Sequence, residues 1–123
     1  MTDLPPPALR LTVTHGALEL TVDVAGDLDL DTHDHLVETV TEQLARHPEA
    51  RGVRLDFTEL SWIDSVGLSA LLMVHRRTRA AGRALYLDNR SALLERLLRQ
   101  TGTLGHLTAR PGRGEGATGA NAT

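Results

Sequence analysis

Ten residues, 61–70, mark the point where the character of the chain changes, and they read SWIDSVGLSA. Before them, residues 52–57 place apolar side chains at every second position, which is typical of a half-buried strand. After them, Leu68 and Leu71 lie at the three-residue spacing of one helix face. The sequence therefore predicts a strand, a short connection and a helix that begins at Ser65.

The alternating pattern of a strand recurs on both sides of this stretch. It predicts strands near residues 11–13, 18–24 and 84–87, and a last strand over residues 105–109. Strands that alternate with helices favour an α/β sandwich. We expect a mixed, mostly parallel sheet of four or five strands with about three main helices, and an antiparallel hairpin at its front.

Polar residues and glycines mark the ends of the predicted helices. Thr32 and Ser91 precede leucine-rich helical patterns and are predicted N-cap residues. Gly82 and Gly102 follow the second and third helices, where glycine commonly ends a helix. The three helices therefore have defined boundaries in the sequence.

Composition agrees with one domain flanked by two irregular ends. The chain has 123 residues, of which 41% are hydrophobic, and a chain of this length can build one core. Residues 1–8 include three consecutive prolines and are predicted to be flexible. Residues 111–123 are rich in glycine and are predicted to be disordered. The domain itself is expected to occupy residues 9–110.

The chain lacks cysteine, which excludes disulfides, thiolate metal sites and a cysteine nucleophile. Its N-terminus has no apolar segment of a secretory signal, and no apolar run approaches the roughly 18 residues of a membrane span. We therefore expect a cytoplasmic protein without a membrane partner.

Charge is unevenly distributed along the chain. Residues 1–64 carry 13 acidic and 4 basic side chains, whereas residues 65–123 carry 3 acidic and 9 basic ones. The overall charge is −3 and every basic residue is an arginine. A nucleic-acid-binding protein usually has a basic chain with lysines and arginines along one face, so no nucleic-acid partner is expected.

Three patterns suggest chemistry that their surroundings do not support. Residues 114–119 match GxGxxG, but too few residues follow for the helix that holds a pyrophosphate. In residues 33–35, HDH, two histidines two positions apart diverge on a helix and no third ligand is suitably spaced. Asp64, Ser65 and His75 supply the residue types of a hydrolytic triad, but adjacent Asp and Ser side chains cannot hold an imidazole between them. We expect no cofactor, no metal and no enzymatic activity.

Ser65 stands where the second helix begins, and we interpret it as the N-cap residue whose hydroxyl accepts a backbone amide. A helix N-terminus also favours anions, so a phosphate on Ser65 can be accommodated there. Such a phosphate lies beside Asp64, and near Asp27 and Asp29 if the ends of the second and third strands adjoin. A docking partner with acidic groups is then repelled.

These residues resemble the small STAS-domain proteins that act as anti-sigma-factor antagonists in bacteria. The resemblance covers residues 9–109 and is carried by GDLD at 26–29 followed by Thr32, LDFTELSWIDSVGL at 55–68, and RLLRQTG at 96–102. The middle segment is the specific one. It implies a STAS-type sandwich and a protein that binds a regulatory partner.

The resemblance also implies a phosphorylation switch at Ser65. In that family, an anti-sigma factor with serine kinase activity phosphorylates the matching serine, the unmodified form binds the kinase and releases the sigma factor, and a metal-dependent phosphatase restores the unmodified form. Val66 stands where many relatives have a second hydroxyl, and Ser69 is expected to be packed. The predicted partner-binding residues are Asp27, Asp29, Asp64, Ser65, Val66 and Gly67.

An alternative remains open on the same resemblance. A STAS-domain accessory subunit of a lipid-transport complex docks on an ATPase through the same helix face and is not phosphorylated. Incubation with an anti-sigma kinase and ATP separates the two hypotheses. The Arg-rich part of the second helix, Arg76, Arg77 and Arg79, is interpreted as a solvated face.

Overall fold

The computed structural model describes residues 8–108, which form five strands and four helices. The predicted flexible N-terminus up to residue 7, the predicted tail and the GxGxxG match at 114–119 lie outside the described residues. The elements are β1 (Leu9–His15), β2 (Glu19–Leu28), α1 (His33–Arg46), β3 (Gly52–Asp56), β4 (Leu60–Ile63), α2 (Ser65–Ala80), β5 (Ala84–Asp88), α3 (Ala92–Gln100) and α4 (Leu104–Thr108).

The sheet is mixed and mostly parallel, as the sequence predicts. Its strand order is β1-β2-β3-β5, and β4 also pairs with β2. The β1–β2 pair is antiparallel, and the other three pairs are parallel. The tight turn between β1 and β2 is closed by the Gly16 amide, which donates to the Glu19 carbonyl over 2.8 Å. The predicted antiparallel hairpin at the front of the sheet is therefore present.

One face of the sheet carries the core. Along β2, Leu20, Val22 and Val24 are buried while Asp23 between them is exposed, so successive side chains point to opposite faces. The helices contribute apolar stripes to the same core, including Leu36, Val40 and Leu44 of α1 and Leu68, Leu71 and Val74 of α2. The domain is thus a two-layer α/β sandwich, in which the helices pack on one face of the sheet.

The last predicted strand, over residues 105–109, is wrong. Residues 104–108 form α4, which packs on β5. A helix places Leu104 and Leu107 on one face, where Leu107 is buried and Leu104 packs partly against the core. In a strand, successive side chains point to opposite faces, so Leu107 would face the core and Leu104 would point away from it. Burial of two leucines therefore favours the helix.

Strand β4 was not predicted, because it is short and lacks alternation. It continues the sheet beside the second half of β2, after a bulge between Gly26 and Asp27. Gly26 has a φ of +103°, and a side-chain carbon there would lie 2.2 Å from the Ala8 carbonyl oxygen. Only glycine fits this conformation and this close approach. The bulge lets one long strand pair with β3 first and with β4 afterwards.

The predicted ends of the helices are largely confirmed. Ser91 caps α3, its hydroxyl accepting the Leu94 amide over 3.1 Å. Gly82 and Gly102 have φ of +72° and +71° just past α2 and α3. Thr32 occupies the N-cap position of α1, but its hydroxyl makes no capping hydrogen bond.

Candidate functional site

The candidate site is the edge of the sheet where β2 and β4 end and α2 begins. Leu28 and Ile63 are register partners at the ends of these two strands, and both are buried. A side-chain carbon on Gly67 would lie 2.2 Å from the Leu28 carbonyl oxygen and 2.8 Å from Ile63 Cγ1. Gly67 therefore lets the first turn of α2 pack directly against the strand ends.

Asp64, not Ser65, is the N-cap residue of α2. Its backbone is extended, and its Oδ1 accepts the amides of Val66 and Gly67, each over 3.0 Å. The Leu68 amide donates to the Asp64 carbonyl over 2.9 Å. The expectation that the Ser65 hydroxyl caps the helix is therefore wrong. Aspartate is favoured over serine at this N-cap because its carboxylate accepts two amides and places a negative charge at the positive end of the helix dipole.

Ser65 is the first residue of α2, and it is exposed. Because Asp64 makes the cap, the Ser65 hydroxyl has no hydrogen-bond partner within residues 8–108. Ser69, one turn further on, is also exposed, and its hydroxyl donates to the Ser65 carbonyl over 3.1 Å. The expectation that Ser69 is packed is wrong. The helix thus displays two serines at its start, and only Ser65 lies at the junction with the strands.

The turn between β2 and α1 holds two of the predicted acidic residues. The Thr32 hydroxyl donates to the Asp27 carbonyl over 2.8 Å and accepts the Asp29 amide over 3.0 Å. Asp29 Oδ1 accepts the Asp31 amide over 3.0 Å. These contacts explain why Thr32 does not cap α1, since its hydroxyl closes the preceding turn instead. The Asp29 side chain likewise contributes to the shape of the turn.

The end of β2 that carries Asp27 pairs with β4, and not with β3 as expected. The first half of β2, Glu19 to Asp23, pairs with β3, whereas Asp27 is the register partner of Trp62 on β4. Because β4 leads directly into Asp64 and Ser65, the end of β2 lies beside the start of α2. The segments that carry Asp27 and Ser65 are therefore brought together by β2 and β4, and not by β2 and β3.

Two exposed apolar residues at this edge were missed. Among residues 8–108 the exposed large hydrophobic side chains are Leu18, Leu30 and Trp62. Leu30 lies in the turn after β2 and is 68% exposed, and Trp62 lies on β4 and is 49% exposed. A single Trp in an apolar segment is usually predicted to lie in the core, so the sequence alone does not indicate that Trp62 is exposed.

Within residues 8–108, the triad residue types and the HDH pattern do not form a site. His75 lies ten residues after Ser65 on one helix, roughly 15 Å along its axis, and it packs on the ring of His106 at 4.5 Å between centroids. Burial lowers the pKa of His75 to about 4, with smaller contributions from the charges of His106 and Arg79. Within residues 8–108 no group of three or more His, Asp or Glu side chains is placed to hold a metal ion.

The Arg-rich part of α2 is exposed, in agreement with its interpretation as a solvated face. No helix between residues 8 and 108 is both long enough and apolar enough to cross a bilayer.

Several solved structures have the same fold over most of this chain. An anti-sigma factor antagonist from Mycobacterium paratuberculosis superposes with a TM-score of 0.68 at 19% identity, covering 86% of this chain and 88% of that one. The anti-sigma factor antagonist SpoIIAA in its unphosphorylated form gives a TM-score of 0.60 at 18% identity, covering 75% and 82%. The Bacillus cell fate determinant SpoIIAA in the phosphorylated form gives 0.56 at 22% identity, covering 82% and 88%. At these identities the likeness establishes the fold.

No curated protein sequence matches the chain. A family model does match, and its description is "Mlab, STAS domain". The match covers residues 11–108, which is nearly all of the described domain and includes both segments of the candidate site. The chain therefore belongs to the STAS-domain family.

Proposed function

We propose that this protein is an anti-sigma-factor antagonist of the bacterial cytoplasm that is switched off by phosphorylation of Ser65. The unmodified form binds an anti-sigma factor with serine kinase activity and so releases a sigma factor. The phosphorylated form does not bind, and a metal-dependent phosphatase restores the unmodified form. One observation carries the proposal: Ser65 is exposed at the first residue of α2 while Asp64 makes the cap.

The cap makes the proposed switch simple in structural terms. Because Asp64 Oδ1 already accepts the amides of Val66 and Gly67, folding of the helix start does not depend on the Ser65 hydroxyl. A kinase can therefore modify Ser65 without first breaking a cap. Because Ser65 is exposed, an added phosphate would lie on the surface of the domain.

Electrostatics gives the size of the effect. Phosphorylation adds about −1.5 to −2 charges. For a dianion about 6 Å from one carboxylate, at an effective dielectric of about 20, the repulsion is roughly 5 kcal/mol before salt screening. Asp64, next to Ser65, carries one such carboxylate. A phosphate on Ser65 would repel any acidic group of a docking partner in the same way. A loss of about 3 kcal/mol weakens binding more than a hundredfold.

The printed names of similar structures support the proposal. The structures from Mycobacterium paratuberculosis and of SpoIIAA are those of anti-sigma factor antagonists, and SpoIIAA was solved in unphosphorylated and phosphorylated forms. A protein of this fold therefore exists in two such states.

Intact-mass analysis tests the proposal. The chain is incubated with ATP and each anti-sigma serine kinase encoded in the same genome. We expect one added phosphate on the wild type and none on Ser65→Ala. Ser69→Ala is the matched control, because Ser69 is an exposed serine one turn further along the same helix, and it should still gain one phosphate. A phosphate that appears on Ser65→Ala but not on Ser69→Ala would overturn the assignment of the site.

The alternative, an accessory subunit of a lipid-transport ATPase complex without a phosphorylation switch, uses the same surface. The exposed Trp62 at this edge favours docking as such, with or without a switch. If no kinase adds mass and the chain instead purifies with a transporter ATPase, the alternative replaces the proposal.

A further inference from the structure

Trp62 is an exposed residue of β4 and does not belong to the core. It is the single tryptophan of the chain, and half of its side chain is in contact with solvent. Its neighbour Ile63 is buried in the core and Trp62 points to the opposite face of the sheet. Large exposed aromatic residues of this kind dominate the binding energy of protein interfaces. Burial of Trp62 in the free domain therefore does not explain its presence.

Asp27 is the acidic group that stands beside this indole. Asp27 and Trp62 are register partners, and adjacent strands lie about 4.8 Å apart, so the two side chains project side by side. Of the predicted acidic residues, Asp29 and Asp64 each use a carboxylate oxygen to accept backbone amides. The Asp27 carboxylate has no hydrogen bond or ion pair to any residue between 8 and 108. Its charge is thus available to a partner.

We propose that Trp62 and Asp27 together form the recognition point for a cationic side chain, arginine or lysine, of the anti-sigma kinase. The cation stacks on the indole face, where tryptophan is the strongest of the aromatic residues. Asp27 pairs with the same charge. The inference rests on the proposed function, since it names the chemistry by which that partner is held.

Charge complementarity supports this partner chemistry. The site lies in the half of the chain with 13 acidic and 4 basic residues. A partner that covers it must offset the charges of Asp27 and its neighbours, and a basic group at the centre does so.

The matched control lies at the other end of the same strand. Leu18 is 52% exposed and immediately precedes β2, whereas Asp27 and Leu28 end it. The length of β2, ten residues, separates the two ends by roughly 30 Å. Leu18→Ala therefore removes a similar exposed apolar side chain outside the proposed recognition point.

The test measures binding of the wild type and of four variants to the kinase that phosphorylates Ser65. We expect Trp62→Ala to weaken binding by about 30-fold or more. Trp62→Phe should recover part of the affinity, and Asp27→Asn should weaken binding about 5-fold and reduce its salt dependence. Leu18→Ala should bind like the wild type. Circular dichroism on each variant verifies the fold, and Trp62→Phe keeps the test informative if the alanine variant unfolds.

The outcomes separate this inference from the proposed function. If the wild type is phosphorylated and binds, but the folded Trp62 and Asp27 variants bind equally well, the recognition point is overturned while the proposed function stands. If the variants lose no more affinity than Leu18→Ala, the conclusion is the same. If the wild type neither binds nor is modified by any such kinase, the proposed function and the inference both fail.

Discussion

Replacement of Asp64 by alanine tests whether this carboxylate builds the site or only faces a partner. The wild-type side chain accepts two amides at the start of α2, and alanine can accept neither. Loss of an N-cap destabilises a protein by about 1 kcal/mol, and loss of a charge at the helix N-terminus adds about 0.5 kcal/mol. We therefore expect Asp64→Ala to lower the free energy of unfolding by about 1.5 kcal/mol.

Urea denaturation followed by circular dichroism measures this change. With a slope of about 1.5 kcal/mol per M, the midpoint should fall by about 1 M. Asp64→Asn is the matched control, because its side-chain oxygen still accepts amides, and it should lose only about 0.5 kcal/mol. If Asp64→Ala unfolds at the wild-type midpoint with the wild-type slope, the cap does not hold the helix start, and the assignment of Asp64 is refuted.

Three further predictions concern the stability of the domain. The pKa of His75 is about 4 in the folded protein, below the ordinary value near 6.5, so the unfolded chain binds more protons and stability falls as pH drops below 6.5. We expect the free energy of unfolding to fall by about 2 kcal/mol between pH 7.5 and 5. His75→Leu should abolish this fall in urea titrations, and an equal dependence of stability on pH in that variant would refute the role of His75. Gly67→Ala should lower the free energy of unfolding by about 3 kcal/mol, because its side-chain carbon meets the Leu28 carbonyl oxygen, whereas Gly105→Ala, which has open space, should be neutral or stabilising. Thr32→Val removes the hydroxyl that joins Asp27 to Asp29 and should cost about 1 to 2 kcal/mol in thermal or urea unfolding, and wild-type stability in this variant would contradict that role.

The larger elements of the fold follow from the sequence because their apolar periods are long. The stripes of α1 and α2 and the alternation in β2 extend over several turns or pairs. In contrast, β4 has four residues and no alternation, and its pairing depends on a bulge at Gly26 that no local pattern reveals. Residues 104–108 are too few to distinguish a strand from a helix, and packing on β5 decides the result.

The position of the candidate site could be predicted, whereas the roles of its residues could not. The start of α2 at Ser65 is marked by the change of period in residues 61–70. The choice between Asp64 and Ser65 as cap depends on one residue of register, which propensity does not resolve, since both residue types favour the position. The exposure of Trp62 depends on which face of a short strand is covered, and this is a property of the assembled sheet.

The most direct test of the central claim is the affinity of one kinase for two forms of the same chain. Isothermal titration compares the unmodified protein with protein that carries a single phosphate on Ser65, as verified by mass. Ser69→Asp serves as a control for added charge one helical turn away. The account predicts binding more than a hundredfold weaker for the phosphorylated form, with Ser69→Asp near the wild type. Equal affinity of the two forms would contradict it.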